Sequence, residues 1–566
     1  MNTFHYLFPP KQKGRPPRFY APPDPHSLAF VDGLTGRKLY REEIPVQAAW
    51  ASNGLRTSGV KRGDVVCIFG LNSLEWISAN YTILATEAIV SPANAAYQPH
   101  ELLHQLVDSG AKAIFVAPAL LPVLHAALDQ APEDLPLIRK RIFLLCPPDE
   151  KPVDTPYRCI EELWDKAAGT RRLTATEDMN TSYLCYSSGT TGLAKGVETS
   201  HHNMTSQLQL LRAPYEKLDY RDRILGVLPF SHIYGLTLLV HQPLTTGTPV
   251  VILPKWDEIK VLESIEKYKI SWSLFVPPML IALVNSKHFD NYDLSSLHGI
   301  QTGAAPCSPE LIRAFESRFP IGYGLTETSP VTHVMQVREG SQHQGSIGCI
   351  APTYQARLVD PVSGVDVQIG EPGELWVRGP SVMKGYWKNI EATRNAFAPG
   401  GWFKTGDIAT VDDDGYFHIV DRLKELIKYK GFQVPPADLE STLLGHPRVA
   451  DAGVIGIYSH AQATELPRAY IVPKGGLDKL SPAQQQQLAD QVAQWIDDRV
   501  SNHKRLRGGV VCVDAIPKSP SGKILRKELR ERAKSELGVE AIAALAKRQP
   551  KNSQGATAEE PVKAKL

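Results

Sequence analysis

The 566-residue chain has almost no excess of charge of either sign, with 62 Lys and Arg against 60 Asp and Glu and a formal net charge of +2. So balanced a surface has no broad field for holding nucleic acid or acidic lipid nonspecifically, and no nucleic-acid partner is expected. Long apolar runs are missing too: none reaches about 18 residues, so no membrane span is expected. Cysteine is scarce and scattered. Cys67, Cys146, Cys159, Cys185, Cys307, Cys349 and Cys512 are odd in number and never form a C-x-x-C pair, which argues against a disulfide framework or a zinc ribbon and fits a reducing compartment. Met1 to Tyr20 lacks a stretch of roughly 7–15 apolar residues, so no secretory signal is expected. The 42 glycines and 44 prolines fall short of the ~25–30% typical of low-complexity chains. No repeat of fixed period is found.

What is present reads as a folded, soluble protein with several cores: 43% apolar and 22% charged residues, in a chain several times the ~150 residues of an average domain. Short β-branched runs alternate with amphipathic stretches. Val65 to Phe69 is followed by helical spacing from Ser73 to Ala88, and further strand candidates are Ala113–Val116, Ile142–Leu145, Ile224–Leu228, Pro249–Leu253 and Trp272–Val276. This pattern predicts parallel sheets covered by helices. From Gly345 to Asp421, short runs broken by Gly and Asp predict small antiparallel strands joined by tight turns. Beyond them a smaller βα pattern begins, with Ser481-Pro482 as cap and first residue of a helix carrying Leu488, Val492, Trp495 and Ile496. The expected fold is α/β: a large N-terminal domain of α/β sheets with a small β-barrel-like subdomain (1–421), a smaller α+β C-terminal lid domain (422–540), and a flexible tail (541–566).

The strongest chemical signal is Tyr186-Ser187-Ser188-Gly189-Thr190-Thr191-Gly192-Leu193-Ala194-Lys195-Gly196, directly after a strand-like Tyr183-Leu184-Cys185. Glycines let backbone N–H groups approach an anion, hydroxyls donate further bonds, and Lys195 adds a compact positive charge, so the loop suits phosphate. A plain surface turn needs a glycine or two and has no use for so many hydroxyls. The nucleotide loop G-x-x-x-x-G-K-[ST] needs Lys directly after its second Gly; here Leu193 follows Gly192 and Gly196 follows Lys195, which disfavours that class.

The loop resembles the signature of adenylate-forming enzymes, the acyl-CoA synthetases, peptide-synthetase adenylation domains and beetle luciferases. The resemblance continues in order through Leu228-Pro229-Phe230-Ser231-His232-Ile233-Tyr234-Gly235, Gly303-Ala304-Ala305-Pro306, Gly322-Tyr323-Gly324-Leu325-Thr326-Glu327-Thr328, Gly401 to Asp407, Asp421 to Gly431 and Pro517 to Arg526. It spans about residues 30 to 540. It implies an acid–thiol ligase using ATP, Mg²⁺ and coenzyme A at an AMP-binding N-terminal domain. By resemblance, Ser187, Ser188, Gly189, Thr190, Thr191, Gly192 and Lys195 grip the leaving pyrophosphate, Thr326 meets the α-phosphate and Glu327 holds the metal. Ala304, Tyr323 and Gly324 receive the adenine, and Asp407 and Arg422 the ribose. His232 and Lys523 act at the reacting carboxylate. Lys424 matches the hinge about which the small domain turns after adenylation, bringing Lys428, Lys430, Gly431 and Gln433 to the thiol-transfer step. Lys518, Arg526 and Lys527 are read as solvated.

The segments around His232 and Lys424 to Gln433 look most like 4-coumarate:CoA ligases. The implied acyl pocket is Tyr234, Leu238, Gly303, Ala304, Gly324, Pro330 and Val331, with no charged group for an amino acid's ammonium. Hydroxycinnamate-specific members carry a polar residue where Leu238 stands and a lysine where Gln301 stands, so a more apolar aryl or fatty acid is expected. Ile321 also replaces a common Gln. Luciferase-like oxidation and acyl loading of a carrier protein remain as alternatives. Ala564-Lys565-Leu566 differs from the peroxisomal Ser-Lys-Leu address only at its first position, predicting recognition by the peroxisomal import receptor, with cytoplasm as the alternative.

Overall fold

The computed structural model describes residues 1–9, 27–131, 136–167, 178–187, 193–215, 218–284, 286–303, 322–335, 343, 345–430, 432–459, 462, 464–519 and 523–545. The chain divides into two compact units: Met1–Lys424 with Lys518–Lys523, and Glu425–Pro517 with Ile524–Leu566.

Among the described residues the larger unit holds two α/β sheets. One has eight strands in the order Gly385–Tyr386, Lys195–Ser200, Thr181–Ser187, Ile89–Ala93, Val65–Phe69, Ala113–Val116, Ile142–Leu144 and Arg158–Cys159. Its inner strands run parallel, and Val65 to Phe69 is buried at every position, as a strand covered on both faces requires. The helix after it, Leu74–Ala85, starts at Ser73, whose hydroxyl accepts from Trp76 N–H at 3.0 Å. A six-stranded sheet follows the order Gly299–Thr302, Trp272–Phe275, Ile224–Gly226, Val250–Ile252, Leu28–Asp32, Lys38–Tyr40, parallel except for its last pair.

The Gly- and Asp-punctuated region is antiparallel. Gln355–Val359, Gly373–Arg378, Trp402–Val411, Phe397–Ala398 and Phe417–Arg422 form one sheet. The Gly348–Phe417 bridge joins it to Gly322–Gly324, Val331–Val334 and Cys349–Ile350.

In the smaller unit, Val449–Ser459, Thr464–Pro473 and Val510–Cys512 form a sheet with the helices Pro436–Leu444, Pro482–Asp497 and Arg526–Leu545. Ser481 caps the second helix as expected, and Leu488, Val492 and Ile496 are buried along its inner face. Arg526 differs from expectation. It is buried, its guanidinium ion-paired with Glu425 at 2.5 Å and Glu440 at 2.7 Å, while Nε donates to the Val454 carbonyl at 3.2 Å. Two buried carboxylates need a cation, and Arg526 is placed by the first turn of its helix to supply it.

Candidate active site

A cavity of about 760 Å³ in the larger unit gathers side chains far apart in sequence. One end of it comes from the antiparallel pair Thr181–Ser187 and Lys195–Ser200, in which Ser187 faces Lys195 across the ladder. Ser187 and Lys195 line the cavity; Ser188, Gly189, Thr190, Thr191 and Gly192 lie outside the described residues.

The short turn Thr326–Thr328 puts Thr326 and Glu327 on the cavity wall. Gly324 leads into it, where a Cβ would sit 2.0 Å from the Pro330 carbonyl oxygen, so only glycine permits this approach. Glu327 is fixed twice. Met383 N–H donates to its carbonyl at 2.7 Å, and Tyr386 O–H donates to its carboxylate at 2.9 Å. Burial and the Glu327 charge both raise the Tyr386 pKa, which keeps the phenol protonated and donating. Lys195 Nζ lies 5.1 Å from the Tyr386 ring centroid, so one tyrosine meets both the cation and the carboxylate. The sequence reading missed Tyr386. Its pairing across the strand edge to Val197, which no local pattern announces, brings it here.

Arg422, Thr405 and Gly406 form another part of the wall. Asp407 lies behind it, 3% exposed, with Arg422 Nε 3.1 Å from its carboxylate. The two residues are register partners on adjacent strands, an arrangement no sequence spacing reveals. Lys424 also lines the cavity.

The third part carries Ser231, His232, Tyr234, Gln301, Gly303, Pro330 and Val331. Gly235 lets this segment turn, since a Cβ there would meet the Pro229 carbonyl oxygen at 2.2 Å. His232 caps the turn, its Nδ1 accepting from Tyr234 N–H at 3.3 Å. Burial first, and the positive charge of Lys523 second, push its pKa down to about 4, so the ring is neutral at ordinary pH. Ser519 and Lys523 both line the cavity, their loop tied by Ser519 N–H to the Lys523 carbonyl at 2.8 Å and Lys523 N–H to the Ser519 hydroxyl at 3.2 Å. Leu238 stands apart from this group. It is 1% exposed within the π-helical turn Leu236–His241 and packs in the core instead of lining the cavity, so the expected pocket residue is corrected here.

Lys428, Lys430 and Gln433 belong to the smaller unit, on the hairpin Ile427–Tyr429 and Phe432–Val434. All three are exposed, with Lys428 opposite Gln433. Glu465 and Thr464 hold the hairpin through the backbone N–H groups of Lys428 and Lys430, each at 2.7 Å. Ala304, Gly431 and the Tyr323 side chain lie outside what is described, as does the terminal tripeptide. Among the described residues no cluster of three or more metal-ligating side chains occurs, and no helix is long and apolar enough to cross a membrane.

The family model for AMP-binding enzymes matches residues 21–387, and that for the AMP-binding enzyme C-terminal domain matches residues 438–523. The chain belongs to the AMP-binding enzyme family. The resemblance seen in the ordered motifs therefore holds, and with it the two-part α/β architecture of such enzymes. Among curated relatives, the peroxisomal OPC-8:0-CoA ligase 1 of Arabidopsis thaliana is 35% identical over 89% of this chain and 90% of its own length. Probable 4-coumarate–CoA ligase 1 of Dictyostelium discoideum is 36% identical over 90% of this chain and 92% of its own. Among solved structures, the anthranilate CoA ligase AuaEII in complex with anthranoyl-AMP is 26% identical with a TM-score of 0.81, covering 95% of this chain and 98% of that one. In a member of this family, a cavity lined by Lys195, Glu327 and Lys523 is a candidate place for acyl-adenylate chemistry.

Proposed function

We propose that the chain is an ATP-dependent acid:CoA ligase, acting on an aryl or fatty carboxylic acid with a mainly apolar body. The observation that carries this reading is the convergence of Lys195, Thr326, Glu327, His232 and Lys523 on one cavity. Kinship with named CoA ligases supports coenzyme A as the acceptor.

In the first half-reaction a carboxylate oxygen attacks the α-phosphorus of ATP, and the bond to the β-phosphate oxygen breaks, giving acyl-AMP and pyrophosphate. The site must stabilise charge spread over the phosphates. Ser187, the loop 188–192 and Lys195 bind the departing pyrophosphate, and Thr326 meets the α-phosphate. Because His232 is neutral, the positive charge between carboxylate and α-phosphate comes from Lys523. Gly324, Ala304 and Tyr323 take the adenine; Asp407 and Arg422 take the ribose. Glu327 suits Mg²⁺: it presents one anchored carboxylate on the cavity wall, and this cation usually takes one or two protein carboxylates and completes its shell with phosphate and water. When bound, the ion supplies charge neutralisation to the phosphates.

In the second half-reaction the CoA sulfur attacks the acyl carbonyl and AMP leaves with the carbonyl–phosphate oxygen. The lid domain, 422–540, turns about Lys424 for this step, and Lys428, Lys430, Gly431 and Gln433 serve it. Pro330, Val331, Gly303 and Tyr234 surround the acid. Ala564-Lys565-Leu566 directs the protein to the peroxisome through its import receptor, a reading supported by the peroxisomal relative; deleting the tripeptide from a fluorescent fusion should leave it cytoplasmic. The decisive assay is ATP–pyrophosphate exchange with Mg²⁺ over a panel of carboxylic acids, followed by detection of CoA thioesters. Absence of exchange for every acid would refute the function.

A further inference from the structure

The helix Pro99–Ser109 carries none of the motif residues, yet its side chains reach the chain beside both Ser187 and Lys195. The helix itself is firmly set. Glu101 Oε2 accepts from Gln98 N–H at 2.8 Å at its start, and Gly110 closes it in the left-handed conformation at φ 69°. Leu102 and Leu106 are buried, and Gln105 donates to the Ser91 hydroxyl at 2.9 Å and the Pro92 carbonyl at 3.2 Å, which ties the helix to the strand Ile89–Ala93. His104 and Asp108, four residues apart, therefore share one face of a fixed rod. Asp108 accepts from the Tyr186 hydroxyl at 2.5 Å. Burial first, and then the Asp108 hydrogen bond and charge, raise the Tyr186 pKa, so the phenol stays protonated and donates. His104 Nε2 lies 2.9 Å from the Ala194 carbonyl oxygen; a carbonyl only accepts, so Nε2 carries the proton. The His104 and Tyr186 rings meet edge-on at 6.3 Å between centroids. Tyr186 directly precedes Ser187 and Ala194 directly precedes Lys195, and Tyr186, Ser187 and Lys195 all line the cavity.

We propose that His104 and Asp108 are positioning residues for ATP: by holding the Ala194 carbonyl and the Tyr186 ring, they fix where Lys195 and Ser187 meet its β- and γ-phosphates. The proposal rests on the ligase reading and adds to it two residues that lie outside every motif and do not line the cavity. A cation and a hydroxyl set in place beforehand need no reordering when charge moves onto the departing pyrophosphate, whereas groups on unbraced backbone must first be ordered. AMP and acyl-adenylate lack the β- and γ-phosphates, so the brace does not act on them.

The test compares the full chain with His104→Leu and Asp108→Leu, and with His104→Gln, which keeps an N–H donor, and Asp108→Asn, which keeps an acceptor oxygen. Calorimetry with magnesium-ATP should show binding weakened about fivefold by His104→Leu and about tenfold by Asp108→Leu, hydrogen bonds to charged groups being the stronger, and the KM for ATP in exchange should rise in step. The Kd for AMP, the KM for the acid and the conversion of added acyl-adenylate to thioester should stay within about twofold. His104→Gln and Asp108→Asn should recover most of the loss. Tyr186→Phe removes the same bond as Asp108→Leu, so the double variant should bind ATP no worse than the weaker single one. Unchanged ATP binding in both leucine variants overturns the proposal, as does an equal loss for ATP and AMP, which marks a merely structural brace, or a failure of the unaltered chain to bind ATP. If the unaltered chain binds ATP but supports exchange with no acid, the ligase reading falls, while the contrast between ATP and AMP still decides the brace.

Discussion

The smaller unit uses cations in two opposite ways. Arg526 has a 9% exposed side chain set between the carboxylates of Glu425 and Glu440, while Lys428 and Lys430 lie exposed on their hairpin. The first arrangement surrounds a charge with permanent partners, which a buried charge requires. The second leaves charge at the water boundary, where a visiting anion can meet it at little desolvation cost. Position along the chain does not separate them: Lys523, which faces a cavity, stands three residues before Arg526, which faces a core. Solvation does.

The largest expected effect comes from breaking the buried arrangement. Arg526→Ala leaves two buried carboxylates without their cation and should destabilise the smaller unit by about 3–5 kcal/mol. Lys428→Ala should cost it no more than about 0.5 kcal/mol. Chemical denaturation followed through Trp495 fluorescence tests both, and equal losses would erase the distinction.

Next in size is the catalytic contrast. Lys523→Ala should lower pyrophosphate release by about 10²–10³-fold while added acyl-adenylate is still converted to thioester. Lys428→Ala should show the reverse, and equal loss of both steps in both variants contradicts the two-step division of labour.

A smaller effect is expected at Tyr386, which holds the carboxylate of Glu327, the proposed metal ligand. Removing its O–H in Tyr386→Phe frees Glu327 and should raise the KM for magnesium-ATP by roughly tenfold, a charge-assisted hydrogen bond being worth about 1.5–3 kcal/mol. Thermal stability should change little.

The smallest concerns pH. Unfolded His232 binds a proton below about 6.5, whereas the folded residue, held down by burial and then by Lys523, does so only near 4. Its neutral burial therefore contributes stability fully above pH 6.5, and that contribution is lost as pH falls from 6.5 towards 4. His201, lowered to about 4, and His241 and His333, lowered to about 3, act with the same sign. Melting temperature of the larger unit should fall over that window, His232→Asn should flatten it slightly, and pyrophosphate exchange between pH 6 and 8 should show no titration from His232.

Much of the fold was legible because its signals are local. The unbroken apolar run Val65 to Phe69 suits a strand covered on both faces, Ser481-Pro482 caps and opens a helix, and Gly with Asp marks the tight turns between Gly345 and Asp421. Much of the candidate site was legible through the ordered motifs: Ser187, Lys195, Thr326, Glu327 and Lys523, named from them, line one cavity. The misses share a cause. Arg526 was taken for surface and Leu238 for pocket wall because a side chain's surroundings are set by what packs on it, and the partners of Arg526, Glu425 and Glu440, come from remote segments.

The sequence by itself determined the family, the two-part α/β plan and the chemical inventory, since motif order and hydrophobic periodicity act over a few residues at a time. Tertiary structure alone decided which groups are partnered: Tyr386 on Glu327, Arg422 on Asp407 and Tyr215 on Gln301. Partnership and burial depend on contacts between segments tens to hundreds of residues apart, and those contacts set whether a polar side chain stabilises the fold or waits for a ligand.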